Sequence, residues 1–263
     1  MFSLKTFIFP KLVSNKFSKA IGIGIVSCIL YKIIQYLEQS LDKSYNVIDD
    51  IIPDILISCG GRYAGYQLGI CHYIKNNFDL RDKKILGISA GAWNAVFMSV
   101  KNNQHANIIL NKVFEIKKDT LPIALKKTKD AIDTYDINNY NIHNIYIGTT
   151  YFNKTIIYNK FLSIDQVSRC CVASSFIPFL THNELFYFYN NRLTFDGGFH
   201  VDKYIKKIPK STLVIDFKMF GRHLDDIIYK DIFRKNKPTT YELYIKGYHD
   251  AKKNHSYFDK YLK

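Results

Sequence analysis

The sequence lacks the patterns that define several protein classes. Its five cysteines include no Cys-x-x-Cys pair, which argues against a zinc ribbon or a dithiol redox site and is typical of reduced thiols. No set of His, Cys and carboxylate residues has the spacing of a metal site, so we expect no metal and no other cofactor. No internal repeat and no recognised nucleic-acid-binding motif is present either, so the sequence disfavours a nucleic acid partner.

Acidic residues are scarce relative to basic ones. The 263 residues include 37 Lys and Arg against 23 Asp and Glu, a formal net charge of +14. Much of the excess lies in the segment from Lys203 to Lys263, which has 15 basic and 7 acidic residues. A basic surface attracts polyanions, among them anionic lipid headgroups. Simple solvation of an exposed tail explains the charge equally well.

A long uninterrupted apolar run is also absent. The run from Ile21 to Tyr31 is preceded by four lysines and continues past Lys32 to Leu37. It is shorter than the roughly 20 residues of a comfortable membrane span, and no small-x-small cleavage pattern follows it. We predict that residues 1–50 form a basic and apolar membrane-associating segment, with a single-pass or monotopic helix at residues 20–37. A helix packed against the core is the alternative, and the expected location is then cytoplasmic.

Short apolar runs alternate with helix-favouring segments over the rest of the chain. The hydrophobic content of 47% is enough for one substantial core. This βαβα order predicts an α/β fold with a mostly parallel central sheet. We predict strands at residues 54–58, 84–88, 144–149, 155–158 and 212–217, a hairpin at 185–195, and helices at 65–77, 90–98, 105–133 with a new start at Pro122, 163–173 and 239–262.

One serine lies where a nucleophile is expected. In Gly87-Ile88-Ser89-Ala90-Gly91, Ser89 stands between a predicted strand and a predicted helix. Gly87 and Gly91 permit a strained turn, and the helix N-terminus directs N–H groups toward developing negative charge. A Gly-x-Ser-x-Gly match arises by chance in roughly a few per cent of such chains, so its context must support it.

Backbone donors for an oxyanion hole are the second expected component. Gly60, Gly61 and Arg62 follow the first predicted strand, and the missing side chains of the glycines let N–H groups approach a ligand. The N–H of Ala90 would complete the hole. Taken alone, the glycine pair is equally consistent with a tight strand-to-helix turn.

A base for the serine is the third component. Asp196 directly follows a predicted strand, and Gly197 and Gly198 permit close packing beside Ser89, although Asp-Gly is also a common turn dipeptide. We expect Asp196 and Ser89 to meet at the rim of one shared sheet. The alternative is a Ser-His-Asp α/β-hydrolase, because the order Ser, Asp, His also occurs with His200, His223 or His249.

The order and spacing of these three motifs resemble those of the patatin-like phospholipases. The stretch Ala173-Ser174-Ser175-Phe176-Ile177-Pro178 is similar to that family's Ala-Ser-x-x-Ile-Pro segment, so the resemblance covers about residues 55–210. The resemblance implies a three-layer α/β/α fold and a lipid acyl hydrolase acting on a phospholipid or another acyl lipid at a membrane surface. It also implies a Ser-Asp dyad without histidine. Its residue roles would be Ser89 as nucleophile, Asp196 as general base, and the backbone of Gly60, Gly61 and Arg62 as oxyanion hole.

The glycine-rich loop departs from that family's Gly-x-Gly-x-x-Gly pattern. Cys59 stands at the first glycine position, and Ala64 stands at the last, with Gly65 one residue later. A catalytically inactive basic protein that binds membranes or polyanions is therefore the non-enzymatic alternative. The predicted organisation is a membrane-associating segment at 1–50, a patatin-like catalytic domain at 53–217 and a basic helical extension at 218–263.

Overall fold

The computed structural model describes residues 51–116, 119–152, 154–190, 192–221 and 238–263. The predicted membrane-associating segment, residues 1–50, lies outside the described residues, as does part of the predicted extension. Within the described ranges, no helix combines the length and the apolar character needed to cross a membrane.

The fold is built on a five-stranded sheet that is mostly parallel. Across the described residues the strands are β1 Ile55–Ile57, β2 Ile85–Ile88, β3 Ile145–Tyr151, β4 Lys154–Tyr158, β5 Tyr187–Tyr189, β6 Arg192–Thr194 and β7 Leu213–Ile215. The strand order is β4-β3-β2-β1-β7, in which only β4 runs antiparallel to its neighbour. The predicted α/β class with a mostly parallel sheet is therefore confirmed. Strands β5 and β6 form a separate antiparallel hairpin.

The register of the sheet brings the ends of its central strands to one edge. Ile57, the last residue of β1, lies beside Gly87 of β2 and Ile215 of β7. Loops that follow the carboxyl ends of adjacent parallel strands share a crevice, the usual place for a ligand in such sheets. The predicted glycine loop and Ser89 both leave the sheet at this edge.

Three of the described helices begin at a side-chain cap. Asn102 and Ser163 each accept a backbone N–H with the side chain, and Thr239 forms a capping box with Glu242. The predicted division of residues 105–133 is present, with Pro122 in the first turn of the second helix. In chain order the helices are α1 Ala64–Asn77, α2 Ala90–Met98, α3 Asn103–Phe114, α4 Leu121–Ile132, α5 Ile164–Ser174, α6 Val201–Ile205, α7 Thr240–Lys253 and α8 His255–Leu262.

The prediction of a single helix at 239–262 is wrong in one respect, because Asn254 divides the segment into α7 and α8. Asn254 has φ −108° and ψ 33°, outside the helical range. Its side-chain amide donates to the carbonyl of Asp250 over 2.8 Å, which competes with continuation of the helix.

Both faces of the sheet are covered. Ile55 and Ile57 face the larger core, together with residues of α1, α2, α5 and α7, whereas Leu56 faces a smaller core closed by Val201 of α6. All three strand residues are fully buried. Strands buried on both faces are expected to be apolar throughout, which explains their sequence.

Helices α1 and α7 are in backbone contact. A Cβ atom placed on Gly247 would lie 1.9 Å from the carbonyl oxygen of Tyr66, and one on Gly69 would lie 2.1 Å from that of Tyr244. Leu243 of α7 and Phe258 of α8 are buried in the larger core. The helical part of the predicted basic extension is thus packed against α1 as part of the same core.

We predict that Gly247→Ala destabilises the protein by about 2–4 kcal/mol, because α7 must move away from α1 to admit the methyl group. The free energy of unfolding should be measured by urea denaturation followed by circular dichroism. Lys246→Ala, at an exposed position of the same helix, is the control and should change stability by less than about 0.5 kcal/mol. Equal stabilities of the two variants would contradict close packing of the helices.

Candidate active site

Ser89 lies on a strained turn between β2 and α2. Its backbone has φ 56° and ψ −126°, a combination that non-glycine residues rarely adopt. The positions on either side of this turn, Gly87 and Gly91, have no room for a side chain because backbone atoms lie close to them. A Cβ on Gly91 would lie 2.1 Å from the carbonyl oxygen of Ile57, and one on Gly87 would lie 2.4 Å from that of Gly91. The predicted roles of Gly87 and Gly91 in a tight elbow are present.

Ser174 holds this turn in place. Its hydroxyl accepts the backbone N–H of Ser89 at 2.8 Å and donates to the carbonyl of Gly148 at 2.6 Å. Ser174 is fully buried at the end of α5. The stretch at residues 173–178, which resembles the Ala-Ser-x-x-Ile-Pro segment, includes this serine, but the sequence analysis assigned it no role. The sequence feature that could have indicated this role is a small polar residue at the end of a buried helix, where a hydroxyl needs hydrogen-bond partners.

The structure brings Ser89 and Asp196 into direct contact. The Ser89 hydroxyl donates to one carboxylate oxygen of Asp196 over 2.7 Å, and the backbone N–H of Gly198 donates to the other over 2.7 Å. Ser89 and Asp196 are each 7% exposed. The contact expected from the sequence is therefore present, with a defined donor on each carboxylate oxygen.

The route by which Asp196 reaches Ser89 differs from the expectation of one shared sheet. Asp196 follows the β5–β6 hairpin, which is outside the five-stranded sheet. Strand β2 ends at Ile88, opposite Gly148, but β3 continues. On the β3 edge thus left open, Thr150 exchanges two backbone hydrogen bonds with Phe195, at 2.8 and 2.9 Å. This bridge places Asp196 just beyond the end of β2.

The two glycines after Asp196 allow this approach. A Cβ on Gly197 would lie 2.4 Å from the carbonyl oxygen of Gly148, and one on Gly198 would lie 2.9 Å from the Asp196 carboxylate. The Gly198 position would also contact the Cβ of Cys59 at 3.2 Å. The glycine loop, β3 and the Asp196 turn therefore meet around the carboxylate.

Burial alters the titration of the groups at this site. It raises the pKa of Asp196 to about 6, an effect that hydrogen bonds from Ser89 and Gly198 partly oppose. Asp196 remains mostly ionised at neutral pH, and is a stronger base than an exposed aspartate. Burial also raises the pKa of the Cys59 thiol, and the negative charge of Asp196 raises it further. Cys59 is therefore a neutral neighbour of the carboxylate.

The predicted oxyanion residues lie in the loop that joins β1 to α1 and at the start of α2. Gly61 has φ 48° and begins a short 3-10 turn, Gly61–Tyr63, with Arg62 exposed in its middle. Ala90 is the first residue of α2. The first N–H groups of a helix have no partner inside that helix. These positions can therefore supply backbone donors, and their use as an oxyanion hole stays a prediction.

Gln67 holds this loop against α1. Its side-chain amide donates to the carbonyl of Ser58 at 2.9 Å. A Cβ on Gly60 would lie 2.0 Å from the Gln67 side-chain oxygen. Gly60 therefore allows close packing against Gln67, a role that the sequence pattern alone did not separate from ligand binding.

The histidines of the alternative triad do not occupy the place of a base. Ser89 donates directly to Asp196, whereas in a Ser-His-Asp triad the serine donates to an imidazole. Burial lowers the pKa of His200, Lys203 lowers it further, and a hydrogen bond with the backbone of Phe152 opposes this shift. His249 is exposed on α7, and His223 lies outside the described residues. The geometry favours a two-residue arrangement.

No metal site accompanies the serine and the carboxylate in the part of the chain that the structure describes. There, no group of three or more His, Cys, Asp or Glu side chains could hold a metal ion. The cysteines at positions 59, 71, 170 and 171 are free thiols, as predicted from their spacing, and Cys28 lies outside the described residues.

The site thus contains an alcohol, a carboxylate able to accept its proton, and nearby helix N-termini. Comparison with models of known protein families gives no match, and a search of curated protein sequences finds no significant match either. The geometry of the site is therefore the main basis for a function of this chain.

We predict that Asp196→Asn stabilises the protein at pH 8. The parent carboxyl has a pKa of about 6 when folded and an ordinary value of 3.8, so the folded state binds the proton more tightly. Stability should fall as the pH rises from about 4 to 6 and level off above, and the Asp196→Asn variant should be more stable at pH 8 by roughly 1–3 kcal/mol.

The measurement is urea denaturation of both proteins at pH 8 and pH 4, where the difference should nearly vanish. Asp136→Asn, at an exposed position, is the matched control, and because it keeps Asp196 it should lose stability between pH 4 and pH 8 as the parent does. An Asp196→Asn variant that is less stable than the parent at pH 8 would contradict a buried, ionised Asp196.

Proposed function

We propose that this protein is a serine carboxylic ester hydrolase that cleaves acyl lipids, as a phospholipase A-type enzyme or a lysophospholipase. The observation that carries the proposal is the 2.7 Å hydrogen bond from the Ser89 hydroxyl to the buried Asp196 carboxylate. The resemblance of the motifs to those of patatin-like phospholipases supports it. The mostly parallel sheet between helical layers is compatible with the three-layer α/β/α fold of that family, and we include this fold in the proposal.

In the proposed mechanism, Asp196 accepts the proton of Ser89 while the serine oxygen attacks the acyl ester carbonyl. Backbone N–H groups of the glycine loop and of Ala90 stabilise the oxyanion that forms. The ester C–O bond then breaks, and the departing alcohol takes the proton from Asp196. Water attacks the acyl-serine, again giving a proton to Asp196, and the fatty acid leaves as Ser89 regains its hydrogen.

Positioning contributes more to this mechanism than basicity does. A carboxylate with a pKa of about 6 is still a weak base for an alcohol. The strained backbone of Ser89 and the second hydrogen bond on Asp196 hold the reacting atoms in place, which lowers the barrier. Oxyanion donors supply much of the remainder, since loss of one typically costs roughly 3 kcal/mol.

The proposed substrate is a phospholipid or another acyl lipid presented at a membrane surface. The net charge of +14 supports attraction to anionic headgroups. Nucleic acid is not proposed as a partner. A catalytically inactive protein that binds membranes would share the charge but would not need the hydrogen bond between Ser89 and Asp196.

We predict that Ser89→Ala and Asp196→Asn each lower fatty acid release at least about a thousandfold. The assay is hydrolysis of phosphatidylcholine and lysophosphatidylcholine by the purified protein. Ser99→Ala is the matched control, because Ser99 is also buried but caps the opposite end of α2. His200→Ala and His249→Ala should retain turnover, and collapse of either would instead support the triad. Undiminished release by Ser89→Ala would refute the proposal.

We predict that kcat falls about tenfold per pH unit below about pH 6, because protonated Asp196 cannot accept the serine proton. The profile should be measured with a saturating soluble ester, so that it reports the enzyme–substrate complex. A constant kcat between pH 8 and pH 4 would show that Asp196 is not the base.

A further inference from the structure

The loop that contacts Asp196 also carries exposed apolar side chains. The backbone carbonyl of Phe176 accepts the N–H of Asp196 at 2.8 Å, and the Phe176 ring is fully buried. Phe179 and Leu180 follow closely and are 42% and 40% exposed. Phe179 has φ 59°, within a loop fixed by bonds from the N–H groups of Leu180 and Thr181 to Ile177. The ordered loop therefore presents these side chains outward.

The adjacent hairpin exposes two further apolar side chains, which we group with those of the loop as one surface. Phe186 and Phe188 are 44% and 65% exposed. They alternate with Tyr187 and Tyr189, whose hydroxyls donate to carbonyls of α5. Alternate residues of a strand point to opposite faces, so Phe188 of β5 lies away from α5. Phe186 directly precedes the strand and is also exposed. The Tyr187 ring lies 5.6 Å from that of Phe176, which joins the hairpin to the loop.

The direction of the hairpin brings this surface to the Ser89 end of the molecule. Tyr189 contacts Gln166, early in α5, whereas Tyr187 contacts Arg169, nearer to Ser174. Ser174 in turn binds the backbone of Ser89. We name the group Phe179, Leu180, Phe186 and Phe188 the apolar rim.

The chain segment that contains the apolar rim has more basic than acidic residues. The segment from Lys154 to Arg192 contains four Lys or Arg and only Asp165 and Glu184 as acids. Lys154 and Arg169 are exposed, although Arg169 lies 3.7 Å from the Asp165 carboxylate. The Arg192 guanidinium lies 6.0 Å from the Tyr151 ring centre. Grouped apolar side chains mark an interaction surface, and aromatic rings with nearby cations suit the headgroup region of an anionic bilayer.

We propose that the apolar rim inserts into the surface of an anionic phospholipid bilayer and so brings Ser89 to the lipid esters. This inference rests on the proposed function, because the bound lipid is then the substrate. A bilayer is favoured over a protein partner because the rim is apolar, the chain segment that contains it is net basic and the whole chain carries a charge of +14. The rim is distinct from residues 1–50, so it can bind lipid independently of them.

Site-specific fluorescence tests this contact in the full chain. Phe179→Trp is introduced beside Ser89→Ala, which prevents hydrolysis of the vesicles. The natural Trp93 is buried and donates to Ser175, so its signal is a constant background. Vesicles contain equal parts phosphatidylcholine and phosphatidylglycerol with brominated acyl chains. We expect a blue shift and about twofold quenching of the new tryptophan.

The matched control is Ile108→Trp, at a similarly exposed position (43%) on α3, which should show neither effect. In a second arm, Phe179→Ser with Leu180→Ser should lower vesicle partitioning about tenfold or more. Ile108→Ser with Ile123→Ser, on α3 and α4, should leave it unchanged. Thermal unfolding midpoints verify that all variants are folded.

The proposal is overturned if the tryptophan at position 179 is not quenched while the chain sediments with vesicles, or if the chain does not bind them at all. Equal partitioning of the two double variants also overturns it. These readouts need no turnover. The hydrolase proposal is tested separately, by the loss of soluble-ester hydrolysis in Ser89→Ala, so either proposal can fail alone.

Discussion

The hydrogen bond between Ser89 and Asp196 depends on a difference in length between two neighbouring strands. Strand β2 stops at Ile88, whereas β3 continues to Tyr151 and leaves an unpaired edge beside the position of Ser89. Unpaired backbone groups of a buried strand need partners, and the bonds between Thr150 and Phe195 supply them. The pairing that completes β3 therefore also delivers the carboxylate, which explains why a residue 107 positions away reaches the serine.

Both members of this pair are held in states that cost stability. Ser89 has a backbone conformation that favours glycine, and Asp196 is a carboxylate buried enough to have a raised pKa. The surroundings compensate through fixed contacts, since Ser174 binds the backbone of Ser89 and Gly198 binds the second carboxylate oxygen. Strain and burial that persist in an otherwise well-packed core are typical of functional sites. This is a reason to assign chemistry to the pair rather than a structural role.

Local pattern predicted the parts of this site, and non-local pairing determined how they meet. The apolar runs of β1 and β2, the helix after Ser89 and the glycines around each turn are visible in a few consecutive residues. The exclusion of the β5–β6 hairpin from the main sheet cannot be read from consecutive residues, because it depends on where β2 ends relative to β3. The packing of Gly247 against Tyr66 was equally hidden, since helical periodicity does not reveal which glycine meets another backbone. The role of Ser174 depends on partners in two distant segments, the turn at Ser89 and strand β3.

The cysteine at the first position of the glycine loop can be understood from the packing around it. Cys59 lies against Gly198 and near the Asp196 carboxylate, where its side chain fills space that a glycine would not. Its thiol stays protonated because burial and the adjacent negative charge both raise its pKa. A neutral side chain there adds to the burial that makes Asp196 a stronger base, without introducing a competing charge. Gly60, the next residue, keeps the close approach to Gln67 that shapes the loop. The departure from the Gly-x-Gly-x-x-Gly pattern is thus compatible with the proposed dyad.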